Sequence, residues 1–403
     1  MGGSRHRPGA ACFALCALAG GAVVSQTAPP VYDVAFVATR NGRTGIHAMR
    51  GDGSNIRLVA DVGRDAILTA SSWSPNGEKI AYLGPEKELG RGRVVFHFPL
   101  YVVNIDGTGR ARLLEIPVLQ FAWSPDSTRL AFESGFEDPN FVPPSPHSDG
   151  SMAVAVYVVS LENRRVTRLT PFNSRLGPVS WSADGRHLTF ATDEVYVIDP
   201  DGTNMRQITK TGGQASGSEW SPRGDWIAFT AGERDKNGTD EGGLFVIRPD
   251  GSGLKRLRAV ESQFGGWSPD GASVAVLRPE SMLIEVEKGT STRFALDPAA
   301  MDAMFTPDGK SLLYRVAGGK VCLLDLRSQT QRELIQLVDG WSFTVSPVLR
   351  RPPGEPEPAS IAAPTNPRFA EEAPTYGTGL SGMTVVARSS GSGAPSSRRR
   401  RRS

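Results

Sequence analysis

Five histidines stand at positions 6, 47, 97, 147 and 187, and imidazole is the side chain most often used to hold a metal or move a proton near neutral pH. A zinc-type site announces itself by close spacing, H-x-x-x-H or H-E-x-x-H, and none of the five is placed that way. His47, His97 and His147 fall in three successive units of the chain, so only folding could gather them. No metal and no cofactor are therefore expected. Acyl transfer has no better support, because the G-x-S-x-G turn that exposes a nucleophilic serine is absent. The phrase "DPDGTN" at 199–204 offers carboxylates to a cation but lacks the alternating ligand ladder and the distal glutamate of a calcium loop. It reads as a hairpin turn.

Chemistry of recognition is better represented than chemistry of reaction. The stretch "GFEDPNFVPPSPHSDGSM" (135–152) gathers Phe136, Glu137, Asp138, Phe141, His147 and Asp149. A second stretch, "GERDKNGTDEGG" (232–243), supplies Arg234, Asp235 and Asp240. Aromatic faces beside carboxylates can grip a glycan ring or a peptide. They need a rigid frame to present them.

The frame is a repeat. "WSPNGEKIAYLG" begins at Trp73, and close variants begin at Trp123, Trp181, Trp220 and Trp267, with an aromatic substitute at Phe305. With Trp341 closing the series, the intervals are 50, 58, 39, 47, 38 and 36 residues. Periods near 45 match one four-stranded propeller blade per repeat. Each phrase ends a first strand in a type I turn, Pro at its second position and Gly at its fourth. A second strand follows ("KIAYLG", "RLAFES"), then a third ("LYVVNIDG", "VYVIDPDG") and a short fourth ("ARLLEI", "RQITK"). All are β-branched or aromatic runs closed by Asp-Gly-type turns.

Second, third and fourth strands occur in seven sets. The first set, residues 33–61, has no tryptophan phrase before it, while "GWSFTVSP" at 340–347 has no strands after it. Joining the two makes a closed ring without exposed edges. The expected fold is all-β: a seven-bladed β-propeller of four-stranded antiparallel blades, the first completed by the C-terminal strand, with six blades as the alternative. Trp73, Trp123, Trp181, Trp220, Trp267, Phe305 and Trp341 are then packing residues between blades. Each indole buries about 150–250 Å².

In such blades the turns between strands one and two share a face with those between three and four, and all are short. The long insertions, 85–99, 135–152 and 232–243, lie between strands two and three and so share the opposite face. That face is the expected binding rim.

The ends differ in kind from the repeats. Arg5 and Arg7 precede an apolar run from Ala10 to Val24, with Val23 and Ser25 at the −3 and −1 positions of a cleavage site. Residues 1–25 are expected to be a signal peptide, which directs the chain to the periplasm or outside the cell. Residues 31–350 form the propeller. Residues 351–403, rich in Pro, Ser and Gly and ending in Arg398–Arg402, are expected to be disordered. Cys12 and Cys16 belong to the leader, and Cys322, within "KVCLLDL", reads as a small buried hydrophobe. The formal charge of +3 includes seven arginines from the two ends; residues 8–397 carry −4. A mildly acidic body lacks the footprint of a nucleic-acid binder. No segment of the mature chain is long and apolar enough for a transmembrane anchor.

The combination of "WSPDG", a "KIAF"-like strand and an "LYVID-DG" strand resembles the TolB-type, WD40-like (PD40) propeller repeat, over about residues 31–347. Ala183 for Pro, Ser127 for Gly and Arg223 for Asp are departures that leave the turns possible. TolB itself places an α/β domain before its propeller and binds a peptidoglycan-associated lipoprotein; here the repeats start close to the leader, so that role does not transfer. Related seven-bladed folds include a polysaccharide lyase with an axial metal held by histidines. The resemblance implies a non-catalytic, monomeric platform for an envelope protein or glycan. The competing expectation is a propeller enzyme, a polysaccharide lyase or hydrolase with an axial site.

Overall fold

The computed structural model describes residues 32–349, except 41, 65–69, 85, 91–92, 115, 136–153, 172, 174–175, 213–214, 235–239, 260–262 and 338–342. At 40, 64, 86–90, 93–97, 233–234, 240–241 and 259 it describes the backbone alone. The leader, the tail and Trp341 lie outside the described residues.

Seven four-stranded antiparallel sheets form a ring, the seven-bladed arrangement. Blade 2 runs from Ser71–Trp73 to Ala111–Arg112 and blade 3 from Gln120–Trp123 to Val166–Arg168. Blade 4 spans Ser180–Trp181 to Arg206–Gln207, blade 5 Ala215–Trp220 to Lys255–Ala259, blade 6 Gln263–Trp267 to Ser291–Arg293 and blade 7 Ala300–Phe305 to Gln331–Gln336. Blade 1 is composite. Asp33–Arg40, Arg43–Arg50 and Arg57–Arg64 are joined by Phe343–Val345, which pairs antiparallel with the first of them.

The first strands are innermost, and those of neighbouring blades touch around the axis at six of the seven junctions, blades 5 and 6 meeting through the Trp267 bond to Glu219 instead. The fourth strands are outermost, and Ser291–Arg293 is fully exposed. Between each two blades lies one apolar cluster, seven in all. The alternation of a strand explains this: one set of side chains faces the preceding blade and the other the following blade, so no sheet has a face left for water.

The repeated phrase builds two bonds. Its serine hydroxyl donates to the aspartate two residues on and accepts the main-chain N–H five residues on, as in Ser268 with Asp270 at 2.6 Å and Ser273 at 2.9 Å. Asp270 is held below the ordinary carboxylate range; its burial acts upward, but the Ser268 hydroxyl and the Ala272 N–H outweigh that. Ser127, in the glycine position of blade 3, takes the left-handed conformation at φ 61°. Its hydroxyl accepts the Asn76 N–H of blade 2 at 3.0 Å, which gives the departure from glycine a partner.

The tryptophan makes the second bond. Trp123 Nε1 donates to the Ser72 carbonyl (3.2 Å), Trp181 to Ala122 (3.2 Å) and Trp267 to Glu219 (3.3 Å). In each case the acceptor is the residue just before the preceding blade's own tryptophan. Trp73 donates to Thr344, 271 positions away in sequence, so the same bond seals the ring. Trp220 breaks the series: its indole N–H is buried without an acceptor, while its main-chain N–H donates to the Ser180 hydroxyl. In the closing strand the register puts Val345 opposite Val34, where Trp73 stands opposite Ile80, so Val345 fills the aromatic position and "VSP" (345–347) is the last copy of the phrase.

Candidate functional site

Each first strand runs from the insertion-bearing face toward the short-turn face. Its first residues therefore ring the mouth of the axial channel on the insertion side, beside the last residues of the second strand. Four blades place a polar pair at this level, Gln120 opposite Glu133, Ser216 opposite Thr230, Gln263 opposite Arg278 and Asp302 opposite Arg315, next to apolar pairs such as Ala215 with Ala231, Ala300 with Val316 and, in blade 1, Phe343 with Phe36. Beside them Leu119 and Met301 keep 46% and 45% of their surface, an apolar lip on a polar opening.

Most of these groups are held by their neighbours. Arg315 pairs with Asp302 at 3.1 Å, Gln263 Nε2 donates to the Met301 carbonyl at 2.7 Å, and Arg278 donates to the Ala300 carbonyl. Burial pushes the Asp302 carboxyl up, and the Arg315 guanidinium only partly restores it. Thr230 donates to the Ser216 carbonyl at 2.7 Å. A fixed rim of this kind binds without reorganising.

Two carboxyls are not paired in this way. Glu133 is only 2% exposed, and its Oε1 has no hydrogen-bond partner. Burial pushes its pKa up to about 8, against a small opposing pull from Gln120. Glu219, on the innermost strand of blade 5, is also pushed by burial to about 8, although part of its surface remains open. Open surface on a group so surrounded by protein is what a channel wall provides. Both carboxyls are protonated at neutral pH and can donate a hydrogen bond.

Glu194 holds the mouth's shape at blade 4. From the hairpin between strands two and three it accepts from Thr211 N–H at 2.7 Å, Gly212 N–H at 2.9 Å and the Thr209 and Thr211 hydroxyls. The segment leading into blade 5 is thereby tied to the hairpin tip.

The nine rim residues read from the insertions are placed as follows. Phe136, Glu137, Asp138, Phe141, His147, Asp149 and Asp235 lie outside the described residues. Arg234 and Asp240 are directly opposed at the far end of a hairpin that extends the middle strands of blade 5, with their backbones alone described. The 85–99 insertion is not a plain loop: Glu86–Gly90 and Arg93–His97 pair as a separate ribbon, in keeping with its "VVFHF" run. The aromatic positions Trp73, Trp123, Trp181, Trp220 and Trp267 are all buried, and Phe305 is half-buried.

His47 is buried against Phe36, the rings stacked at 5.5 Å. His187 bonds Asp199 at 2.7 Å near the short turns of blade 4. Among the described residues no three His, Cys, Asp or Glu side chains are grouped to hold a metal. Cys322 is half-buried and free. Glu133 and Glu219 were missed in the sequence, although a faint signal existed. For Glu219 it is that the residue before the aromatic is Ser, Ala, Ser, Glu, Gly and Met in blades 2 to 7, and only one of these is charged.

A depression of about 540 Å³ lies on the other face, between Asn76–Lys79, Asn104–Asp106 and Ser346–Val348. Its polar groups are already matched, Lys79 with Asn104 at 2.6 Å and Asn76 with Glu78 at 3.0 Å. It is a seam between blades 1 and 2 and shows no unmet chemistry.

Several known proteins share this architecture. An oligogalacturonate lyase solved with manganese superposes with a TM-score of 0.55 at 16% identity, over 76% of this chain and 86% of that one. The periplasmic gluconolactonase of Pseudomonas aeruginosa gives 0.50 at 13% identity, over 80% and 100%. An uncharacterized protein of Agrobacterium fabrum is 29% identical over 94 residues, 22% of this chain and 30% of that protein's length. The family described as the TolB beta propeller domain, PD40, matches residues 31–233 and 88–344. With its seven blades and that match across nearly all of them, the chain belongs to the TolB beta propeller family.

Proposed function

We propose that this chain is a non-catalytic binding propeller of the cell envelope that receives a glycan at the insertion-bearing mouth of its axial channel. The observation that carries the reading is the make-up of that mouth. Amide, hydroxyl and protonated carboxyl groups stand beside the exposed Leu119 and Met301, and the rim's charged groups are already engaged, Asp302 with Arg315 and Arg278 with the Ala300 carbonyl. Neutral donors and acceptors beside apolar surface match a hydroxyl-rich ring better than they match a highly charged partner. The envelope location is supported by the leader-like N-terminus and by the periplasmic gluconolactonase among the structural neighbours. A glycan array probed with the mature chain tests this. Capture of a defined set of oligosaccharides, weakened by Gln120→Ala and Gln263→Ala, is expected. Failure to retain any envelope glycan at millimolar concentration would remove the proposal.

One observation favours an enzyme instead. Carboxyls with pKa values near 8 are suited to protonate a leaving group at neutral pH. The lyase and gluconolactonase named above show that sugar chemistry occurs on this fold, which does not assign it here. Turnover of a bound oligosaccharide, lost in Glu133→Gln or Glu219→Gln with binding retained, would establish the enzymatic reading.

A further inference from the structure

Glu219 has surroundings unlike those of any other described carboxyl. It stands mid-strand on the innermost strand of blade 5, between the buried Ser218 and Trp220. Alternation puts it on the sheet face opposite Trp220. Its cross-strand neighbour Ala228 belongs to the cluster shared with blade 6, so Glu219 faces blade 6. The blade 6 indole, Trp267, donates to the Glu219 carbonyl and fixes that strand.

At the same level around the axis the other blades carry Ser72, Ala122, Ser180, Gly266 and Thr344, with Met304 the one long apolar side chain. Space is left open here as well. A Cβ added to Gly266, or to Gly217 two residues before Glu219, would meet nothing within 4 Å. Both glycines have positive φ, 98° and 56°, so the gaps are built into bulged inner strands.

No basic group answers this carboxyl. Among the described residues its side chain has no ion-pair or hydrogen-bond partner. On the blade 6 side, reached through Trp267, strands 263–267 and 273–278 offer Arg278 as their only described titratable group, and its guanidinium donates to the Ala300 carbonyl of blade 7; on the other side strands 180–181, 188–191 and 195–198 offer only Tyr196. Asp302, by contrast, has Arg315. A buried acid without a counter-ion stays protonated, and unfilled space beside it lets an entering cation ionise and pair with it.

We infer that Glu219 is the recognition group for a primary ammonium carried by the ligand, so that the glycan taken by the channel is an amino sugar with its amine free. This rests on the glycan-binding reading above and narrows it. The ammonium supplies the missing positive charge, and the small residues at this level leave a path to it. An N-acetylated sugar offers a neutral amide in the same place and leaves the carboxyl unanswered.

Calorimetry with the intact mature chain separates the possibilities, using the β-1,4-linked glucosamine trimer and its N-acetylated counterpart. The glucosamine trimer is expected to bind about tenfold tighter or more, the usual scale for one charge-assisted bond. Binding at pH 7 should release protons, because a carboxyl with pKa about 8 must ionise to meet the ammonium, less those that the sugar's own unprotonated amine takes up. Glu219→Gln should abolish both the preference and the proton release. Glu219→Ser, which installs the residue found at this level in blades 2 and 4, should do the same in a fold that already accepts serine there. Equal affinity for the two trimers, or a preference that survives both substitutions, overturns the inference and leaves glycan binding standing. Binding of neither trimer overturns the amino-sugar assignment, and the glycan array then decides the broader reading alone.

Discussion

Replacing Glu133 by glutamine should make the propeller markedly less sensitive to alkaline pH. The side chain is 2% exposed on the second strand of blade 3, with one oxygen unpartnered and a pKa pushed by burial to about 8. In the unfolded chain the same carboxyl titrates at the ordinary glutamate value of 4.5. Between those values the folded state holds a proton that the unfolded state has released, so stability falls as pH rises through this window. Integrating the difference from pH 5 to pH 8.5 gives about 4 kcal/mol of stability lost by the wild type through this one group. Water entering around the carboxyl would lower that figure. Glutamine has the same shape and no charge, so whatever its amide costs is the same at every pH. Melting followed by tryptophan fluorescence at both pH values reads the effect, at roughly 2 °C per kcal/mol for a domain of this size. The gap between variant and wild type should move by about 8 °C in the variant's favour from pH 5 to pH 8.5. Glu219 contributes a similar slope, and Asp302, also raised by burial, adds to it, so the single variant keeps part of the dependence and the double variant should be flatter than either single one. A gap that stays constant across pH would refute the argument that Glu133 is buried as a neutral acid.

Three further outcomes follow from the bonds that hold the ring. Trp123→Phe removes the indole bond to Ser72 and should cost about 1–3 kcal/mol in urea unfolding, whereas Trp220→Phe, whose N–H has no acceptor, should cost clearly less; equal losses would contradict the bonding pattern. Glu194→Ala strips the acceptor from Thr209, Thr211 and Gly212 and should cost roughly 2–4 kcal/mol. It should also speed hydrogen exchange at residues 209–212, and unchanged exchange there would refute the tie. Deleting residues 343–403 removes the inner strand of blade 1 and the acceptor of Trp73; the product should lose its cooperative melt, and a wild-type melt would argue against closure by that strand.

The ring was legible in the sequence because its parts are local. Each turn, strand and Asp-Gly hairpin carries its own chemistry, and an uneven count of strands at the two ends implied a composite first blade. Register at the closure was less legible. "GWSF" and "TVSP" both resemble the phrase, and the aromatic residue favours the first, yet pairing with 33–40 puts Val345 in the tryptophan position. Strand pairing across some 300 residues decides this, and no local preference reports it. The ribbon at 86–97 read as a loop because its charged first half masks the "VVFHF" run. The carboxyls were the hardest to see. A lone glutamate in a strand reads as a solvated position, and only the stacking of blades shows that Glu133 has been taken out of water and that Glu219 sits on an innermost strand against blade 6. The aromatic and acidic insertion residues, which sequence patterning made prominent, fall largely outside the described residues.

The most direct test of a ligand site at the insertion-bearing mouth is amide hydrogen exchange, with and without a saturating oligosaccharide chosen from the array. Protection should concentrate at the starts of the inner strands, residues 118–121, 215–219, 263–266 and 300–303. Protection confined to the opposite seam, at residues 76–79, 104–106 and 346–348, would contradict the account and move the site to the other face of the ring.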